Sequence, residues 1–466
     1  MNQINLKLQY WIIAVFITGF LPTAKAESIQ SILARSSQKK AEFAICVMDA
    51  SGQVVYSHQA DRTMIPASNM KLVTSAAALH YLGPEYRFET KIGLLGDDLV
   101  VIGGGDPLLG DPELDREYDR KSGWVLDQIV NAVKQAGVRS VRDIILDDSF
   151  FDSNRVHPHW PADQLNRWYA CEVSGINYYA NCVHFSLRRG SQSAIIHLEP
   201  QTDYLTLKNQ VRLIHKGSSG VGAYRNGRPN HLLVKGKLNQ QAGFETAIEN
   251  PSAFFGYLIY ERLAAEGIEV KGRMVQKYVK QNPDIRMLLT LATPIQDIFN
   301  RCNQDSLSLA AESLVKTISA ENTQGRINGE WPHGLKLVER FLLSLGVPAD
   351  QFRLDDGSGL SRENRLSPNT LVRVLHAVYA SKHWDFYEST LACGGEDGTL
   401  RRYFREQEYK GNIIGKTGYI AGVRSFSGVC HTDRGDFLFS ILTEGGNGYT
   451  RGAINDIAKA ICEGEY

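Results

Sequence analysis

The 466-residue chain balances 51 basic against 51 acidic residues and holds only seven cysteines. With no block of basic residues it has no electrostatic footprint for nucleic acid. Cysteines this few, and odd in number, exclude a disulfide framework, and the length is more than one compact domain normally uses.

Residues 1–26 read as an export signal: Lys7, an apolar run from Tyr10 to Leu21, then Ala24-Lys25-Ala26 as a small-x-small cleavage site. Cleavage before Glu27 and a periplasmic location are expected. The apolar run is shorter than the ~20 residues a bilayer span needs. No later stretch is apolar enough, so no transmembrane anchor is expected.

After the signal, Gln30 to Lys40 has helical character. Glu42 to Met48 and Val54 to His58 read as strands around the turn Asp49-Ala50-Ser51-Gly52. Ala67-Ser68-Asn69-Met70-Lys71-Leu72 then opens an alanine-rich buried helix, and a hairpin feeding such a helix begins an α/β arrangement. Short strands follow (Thr90 to Leu94, Leu99 to Ile102), leading into Gly103-Gly104-Gly105-Asp106-Pro107. That triplet is a tight turn without the trailing Gly-Lys of a phosphate loop. Trp124 to Ala136 is an amphipathic helix and Ser140 to Leu146 a strand ending at Asp147-Asp148. A loop rich in aromatics and histidine comes next, including His157, His159 and Trp160.

Asn181 to Gly243 alternates like short strands and turns. Pro251 to Ala265 is helical, and Ile268 to Val279 a strand. Helices dominate beyond Leu291: Leu307 to Ile318, Leu335 to Leu345 and Pro368 to Ala380. Asn412 runs strand-like through to Val429, Phe437 to Thr443 is a further strand, and Thr450 to Cys462 a last helix. This order suggests a catalytic domain made from both ends of the chain (27–90 and 292–466) around an inserted cassette (91–291). The cassette divides into one module of 91–170 with 245–291 and a second of 171–244.

Ser68 falls in the first turn of its helix, where unpaired backbone N–H groups favour developing negative charge. Lys71, three positions on, lies over the same face. Such a pair can act as nucleophile and base if burial keeps the amine neutral. The S-x-x-K pattern is weak alone, since copies also begin at Ser36, Ser37 and Ser313. Two downstream stretches single out Ser68. Ser306-Leu307-Ser308 opens a helix, and Lys416-Thr417-Gly418 sits in a strand-like run; the order S-x-x-K, S-x-N-like, K-T-G is that of penicillin-recognising serine enzymes. Lys121-Ser122-Gly123 precedes a helix and lies before Ser306, out of that order.

With these motifs the chain resembles the D-alanyl-D-alanine carboxypeptidase/endopeptidases of the class C low-molecular-mass penicillin-binding proteins. Gly105-Asp106-Pro107, Ile144 to Phe151, Asp356-Gly357-Ser358-Gly359-Leu360-Ser361-Arg362 and Gly395-Glu396-Asp397-Gly398-Thr399-Leu400 match that family too. The resemblance implies an α/β (α+β) fold, with a penicillin-binding/β-lactamase-like catalytic domain and an inserted two-module cassette. It implies peptidoglycan stem peptides and β-lactams as ligands, and no cofactor. Ser68 would be acylated, Lys71 would take its proton, and the backbone N–H groups of Ser68 and Tyr419 would hold the oxyanion. Ser306 would pass a proton to the leaving amine, while Lys416, Thr417 and Gly418 would receive the substrate carboxylate. Bringing a lysine from near 10.4 to ~7–8 needs about 3–5 kcal/mol, from burial and the second cation.

The chain departs from the family twice. Ser308 replaces an asparagine that normally orients the lysine and bonds the substrate amide, a loss worth ~1–3 kcal/mol. Tyr419 stands where a small hydroxyl residue usually follows K-T-G. In the cassette, Asp147 or its neighbour Asp148 would either bind the free amine of a diaminopimelate side chain or simply cap a strand end. His157 and His159 read as loop residues, and with neither C-x-x-C nor H-E-x-x-H present no metal site is expected. Cys171 and Cys182 are close enough to pair in an oxidising compartment; Cys46, Cys393, Cys430 and Cys462 read as small buried apolar residues. A β-lactamase and a non-catalytic wall-binding homologue are the alternative functions.

Overall fold

The computed structural model describes residues 26–466, so the expected signal segment, apart from Ala26, lies outside the described residues. Among these, no helix is long and apolar enough to cross a membrane.

Strands from both ends of the chain make one antiparallel six-stranded sheet, ordered Ala392–Cys393, Ile413–Ile420, Val423–Cys430, Phe437–Glu444, Glu42–Asp49, Val54–His58. Alternation along its strands divides the apolar side chains between two faces. Phe43, Ile45, Val47, Phe439 and Ile441 pack with the N-terminal helix Ile29–Ala34 and the C-terminal helix Thr450–Glu463. Ala44, Leu438 and Leu442 pack on the other side with the nucleophile helix Met70–Leu82, the helix Ser308–Asn322 and the helix Pro368–Tyr379. A sheet covered on both faces gives the two cores of a layered domain.

A second, five-stranded sheet runs Met274–Gln276, Ile144–Asp147, Asp98–Ile102, Arg87–Leu95, Arg286–Pro294. The helices Trp124–Gln135 and Pro251–Ala265 bury their apolar faces against it through Ile129, Val133, Phe254 and Leu258. Two three-stranded sheets occupy residues 182–247, one of them with a parallel pair, His231–Leu238 beside Thr206–Leu213. The expected boundaries, after residue 90 and before residue 292, fall inside Arg87–Leu95 and Arg286–Pro294, which pair with each other.

The aromatic segment after Phe151 is no free loop. Phe151, Trp160 and Val173 are buried in the same core as the nucleophile helix and the helix Trp331–Ser344.

Four elements differ from expectation. The run 140–146 splits into Ser140–Val141 and Ile144–Asp147, which join different sheets. The run 412–429 is a hairpin of two strands, Ile413–Ile420 and Val423–Cys430, reversing at Ala421–Gly422. The run 268–279 breaks into Glu269–Val270 and Met274–Gln276, which pair with different strands. The first helix stops at Ala34, and the decoy serines Ser36 and Ser37 sit in a separate 3-10 turn, Ser36–Gln38.

Candidate active site

Ser68 occupies a 3-10 turn, Ala67–Asn69, that runs straight into the helix Met70–Leu82. Ala67 is held at φ 46°, a sparsely populated conformation for a residue with a side chain. Two glycines make room for this turn. A Cβ on Gly359, itself at φ +82°, would stand 1.8 Å from the Ala67 carbonyl oxygen. A Cβ on Gly418 would stand 2.1 Å from Ser425 Oγ and 3.0 Å from the Ser68 backbone nitrogen. The K-T-G strand therefore lies directly against the nucleophile's own amide.

Lys71 Nζ lies 3.3 Å from Ser68 Oγ and donates to the Ser358 carbonyl at 2.8 Å. Ser308 Oγ is 3.5 Å from the same nitrogen, the outer limit of a hydrogen bond. The amine is buried, and burial is the main cause that lowers its pKa; the Cys302 thiol and the carboxylates of Glu312 and Asp356 pull it back up. Lys416 is buried too, donating to the Thr417 carbonyl at 3.1 Å. Burial first, and then the charge of Lys71, bring its pKa down to about 7. Burial makes each amine resist protonation, as proton acceptance by Lys71 requires, and the charge of Lys71 adds to this at Lys416.

Asn69 locks the turn to the K-T-G hairpin. With its amide placed so that both ends are satisfied, it donates to the Lys416 carbonyl at 3.1 Å and to Ser425 Oγ at 2.7 Å. Its oxygen then accepts from the Ser427 backbone at 3.0 Å. Ser425 Oγ in turn donates to the Pro66 carbonyl at 2.7 Å.

Behind Lys71 lies a buried acid pair, Glu312 on the helix opened by Ser308 and Asp356 at the head of the D-G-S-G stretch. Glu312 accepts from Trp331 Nε1 (2.8 Å), Gly357 N (3.0 Å) and Ser358 N (2.8 Å). Burial and the nearby Asp356 raise its pKa to about 7. Asp356 accepts from Trp160 Nε1, Gly359 N, Ser361 N and Asn364 Nδ2. These bonds shape the D-G-S-G turn whose carbonyl holds Lys71. A sequence signal for Glu312 existed: Ser308, Glu312 and Lys316 recur every four residues on a helix buried from Ser308 to Ala320, so they share one face.

The structure thus brings Ser68, Lys71 and Ser308 into contact and sets Lys416, Thr417 and Gly418 beside them. Ser306 stands just before the helix at φ 65°, half-buried, with no hydrogen bond to either lysine. Tyr419 is 61% exposed and its ring lies under the Arg424 guanidinium at 3.7 Å.

Asp147 does not join the site. Its buried carboxylate accepts from Ser149 N and Oγ (3.1 and 2.5 Å) and from Val279 N and Lys280 N (2.6 and 2.7 Å). Four donors leave no oxygen for a substrate amine, so it caps the strand end. Asp148 is engaged through one oxygen, Oδ2, by Arg155, Ser174, Ser252 and Gln276. Cys171 and Cys182 are buried with unbridged thiols, and burial pushes Cys171 up to about 12. The Ser313 copy of S-x-x-K has another role: Lys316 binds Asp152 and the Asn154 carbonyl, each at 2.6 Å, and lies 3.9 Å over the Trp331 ring.

A model of the D-Ala-D-Ala carboxypeptidase 3 (S13) family matches residues 25–463. The chain belongs to that family. It is a serine-type D-Ala-D-Ala carboxypeptidase with a mixed α+β penicillin-binding fold. The D-alanyl-D-alanine carboxypeptidase of Actinomadura sp. (strain R39) is 31% identical to it, over 96% of this chain and 86% of that protein. D-alanyl-D-alanine carboxypeptidase DacB of Haemophilus influenzae is 26% identical, over 87% of this chain and 85% of that protein. The crystal structure of penicillin binding protein 4 (dacB) from Haemophilus influenzae superposes with a TM-score of 0.78 at 21% identity, covering 93% of this chain and 98% of the other. In this S13 member, the serine–lysine pair and the K-T-G strand are assembled from segments almost 350 residues apart.

Proposed function

We propose that the chain is an exported, periplasmic enzyme that removes the terminal D-alanine from peptidoglycan stem peptides through an acyl-enzyme on Ser68. Endopeptidase action on D-Ala–diaminopimelate cross-links is a second activity of the same site. One observation carries the reading: a buried amine, Lys71 Nζ, 3.3 Å from Ser68 Oγ, with a second buried amine beside it.

Neutral Lys71 takes the proton of Ser68 Oγ as that oxygen attacks the carbonyl between the two D-alanines. The oxyanion forms against the N–H groups of Ser68 and Tyr419, each such donor being worth ~3–4 kcal/mol. The proximity of Gly418 to the Ser68 amide supports that placement. Ser306 relays the proton taken up by Lys71 to the departing amine of D-alanine, giving up its own hydroxyl proton and receiving that of Lys71. Charged Lys416 and the Thr417 hydroxyl take the terminal carboxylate, which restores the favourable charge that burial removes from Lys416. Water then releases the shortened peptide. A β-lactam acylates Ser68 by the same attack, opening its ring instead of expelling D-alanine. Residues 27–90 and 292–466 act as the catalytic domain, and 91–291 as the inserted cassette.

The test is intact-mass measurement after incubation with penicillin, followed by an assay of D-alanine release from a pentapeptide. A stable adduct mapped to Ser68 together with D-alanine release is expected. Rapid penicillin turnover without peptide cleavage would mark a β-lactamase. No adduct on well-folded protein would mark a non-catalytic wall-binding homologue.

A further inference from the structure

Two histidines of the aromatic segment converge on an acid from the other side of the site. His159 Nδ1 stands 2.9 and 3.0 Å from the two carboxylate oxygens of Asp355, and His157 Nδ1 stands 3.8 Å from Asp355 Oδ2. One donor atom from each of the three lies within 4.8 Å of the others. Ligands held ~2.1 Å from a tetrahedral zinc ion are about 3.4 Å apart, so small side-chain rotations close this group around a metal. An ordinary ion pair would need only one imidazole; here a second stands 3.8 Å from the same carboxylate, its Nδ1 accepting a long 3.4 Å bond from the His159 backbone N–H that a metal would displace.

We propose that His157, His159 and Asp355 bind a divalent transition metal of the zinc class. The donor set, two imidazoles and a carboxylate, suits zinc and its neighbours rather than magnesium or calcium, which prefer oxygen. Surrounding contacts hold the ligands in place, as metal sites require. The His157 ring packs edge-on to Trp331 at 5.3 Å and tilted against Trp160 at 6.1 Å. Ser361 Oγ donates to Asp355, and Asn364 Oδ1 accepts from the Asp355 amide at 2.8 Å. Access is one-sided: the side chain of His157 is 6% exposed, that of Asp355 15% and that of His159 53%. Water fills the fourth position from the His159 side. The ion ties the segment after Phe151 to the strand leading into Asp356-Gly357-Ser358, the turn that holds Lys71. Sequence spacing hides the site because the third ligand lies 196 residues from His159.

Chelator-stripped full-length protein, dialysed against Zn²⁺ and assayed for metal content, tests this. One zinc per chain is expected, lost in His159→Ala and in Asp355→Asn and kept in His215→Ala, whose histidine is exposed elsewhere. One equivalent of Cu²⁺ should quench the emission of the wild type, whose Trp160 and Trp331 flank the site, and not that of His159→Ala. His159 is exposed enough for its variant to fold. No zinc retained by the wild type, or equal zinc in wild type and His159→Ala, would overturn the proposal.

Discussion

Lys71 Nζ donates to the carbonyl of Ser358, 287 residues further along the chain, at 2.8 Å. The amine's position thus depends on a turn that is itself fastened by Glu312 and by Thr74 Oγ1, which donates to the Gly357 carbonyl at 2.7 Å.

Gly359→Ala should disrupt that turn. The added methyl meets the Ala67 carbonyl at 1.8 Å and the backbone stays at a positive φ, a strain of order 1–3 kcal/mol before the clash is counted. A lowered melting temperature and at least a tenfold slower penicillin acylation are expected. An unchanged acylation rate would contradict the placement of this turn behind the nucleophile.

Lys71→Met should abolish acylation and lower stability by no more than about 1–3 kcal/mol. The neutral amine has a carbonyl and two hydroxyls as neighbours and, among the described residues, no carboxylate within ion-pair distance, so the substitution removes the hydrogen bond to the Ser358 carbonyl and no ion pair. Intact mass and a thermal melt read both effects; an acylated variant would remove Lys71 from the reaction.

Ser308→Ala should slow acylation by no more than about fivefold, because a 3.5 Å contact contributes at most ~1 kcal/mol. Ser308→Asn, whose longer side chain carries a donor and an acceptor, should speed it by about tenfold. Stopped-flow acylation with a chromogenic β-lactam compares the three proteins, and a slower Asn variant would argue that the pocket is already fitted to serine.

Lys416 makes stability depend on pH. Its amine titrates at about 7 in the fold against an ordinary value of 10.5, so the unfolded chain holds the extra proton between those limits. Stability therefore rises with pH across that window, and below about 7 the full penalty remains. Guanidinium unfolding at pH 7 and 9.5 should show a larger gain in the wild type than in Lys416→Met. Equal gains would mean that Lys416 titrates normally.

Lys316→Met separates the decoy from the site. It leaves Asp152 without its 2.6 Å partner, and because Asp152 keeps some access to water the loss should be about 1–3 kcal/mol, below that for a fully buried pair. Penicillin acylation at saturating folding conditions should stay within twofold. A loss as deep as that of Lys71→Met would give Lys316 a catalytic part.

Some elements were legible because their pattern is local. Val54–His58 and Pro251–Ala265 have the bounds expected of them, the helix opening on a proline at its first position. The hairpin within 412–429 was not, since both arms are equally strand-like and only pairing of Gly415 with Gly428 reveals the reversal. Asp147 stayed open between two readings for a related reason: an acid at a strand end looks the same whether it faces a cleft or the amides of Val279 and Lys280.

By itself the chain determined the order of its three motifs, the helix under Ser68 and the strand under Lys416, because residue type and spacing set local conformation. Only the tertiary structure decided that Ser358 holds the lysine, that Glu312 and Asp356 shape the turn behind it, and that two histidines meet Asp355. Those outcomes depend on burial and on contacts between distant segments, and neither desolvation nor long-range proximity is written in the spacing of neighbouring residues.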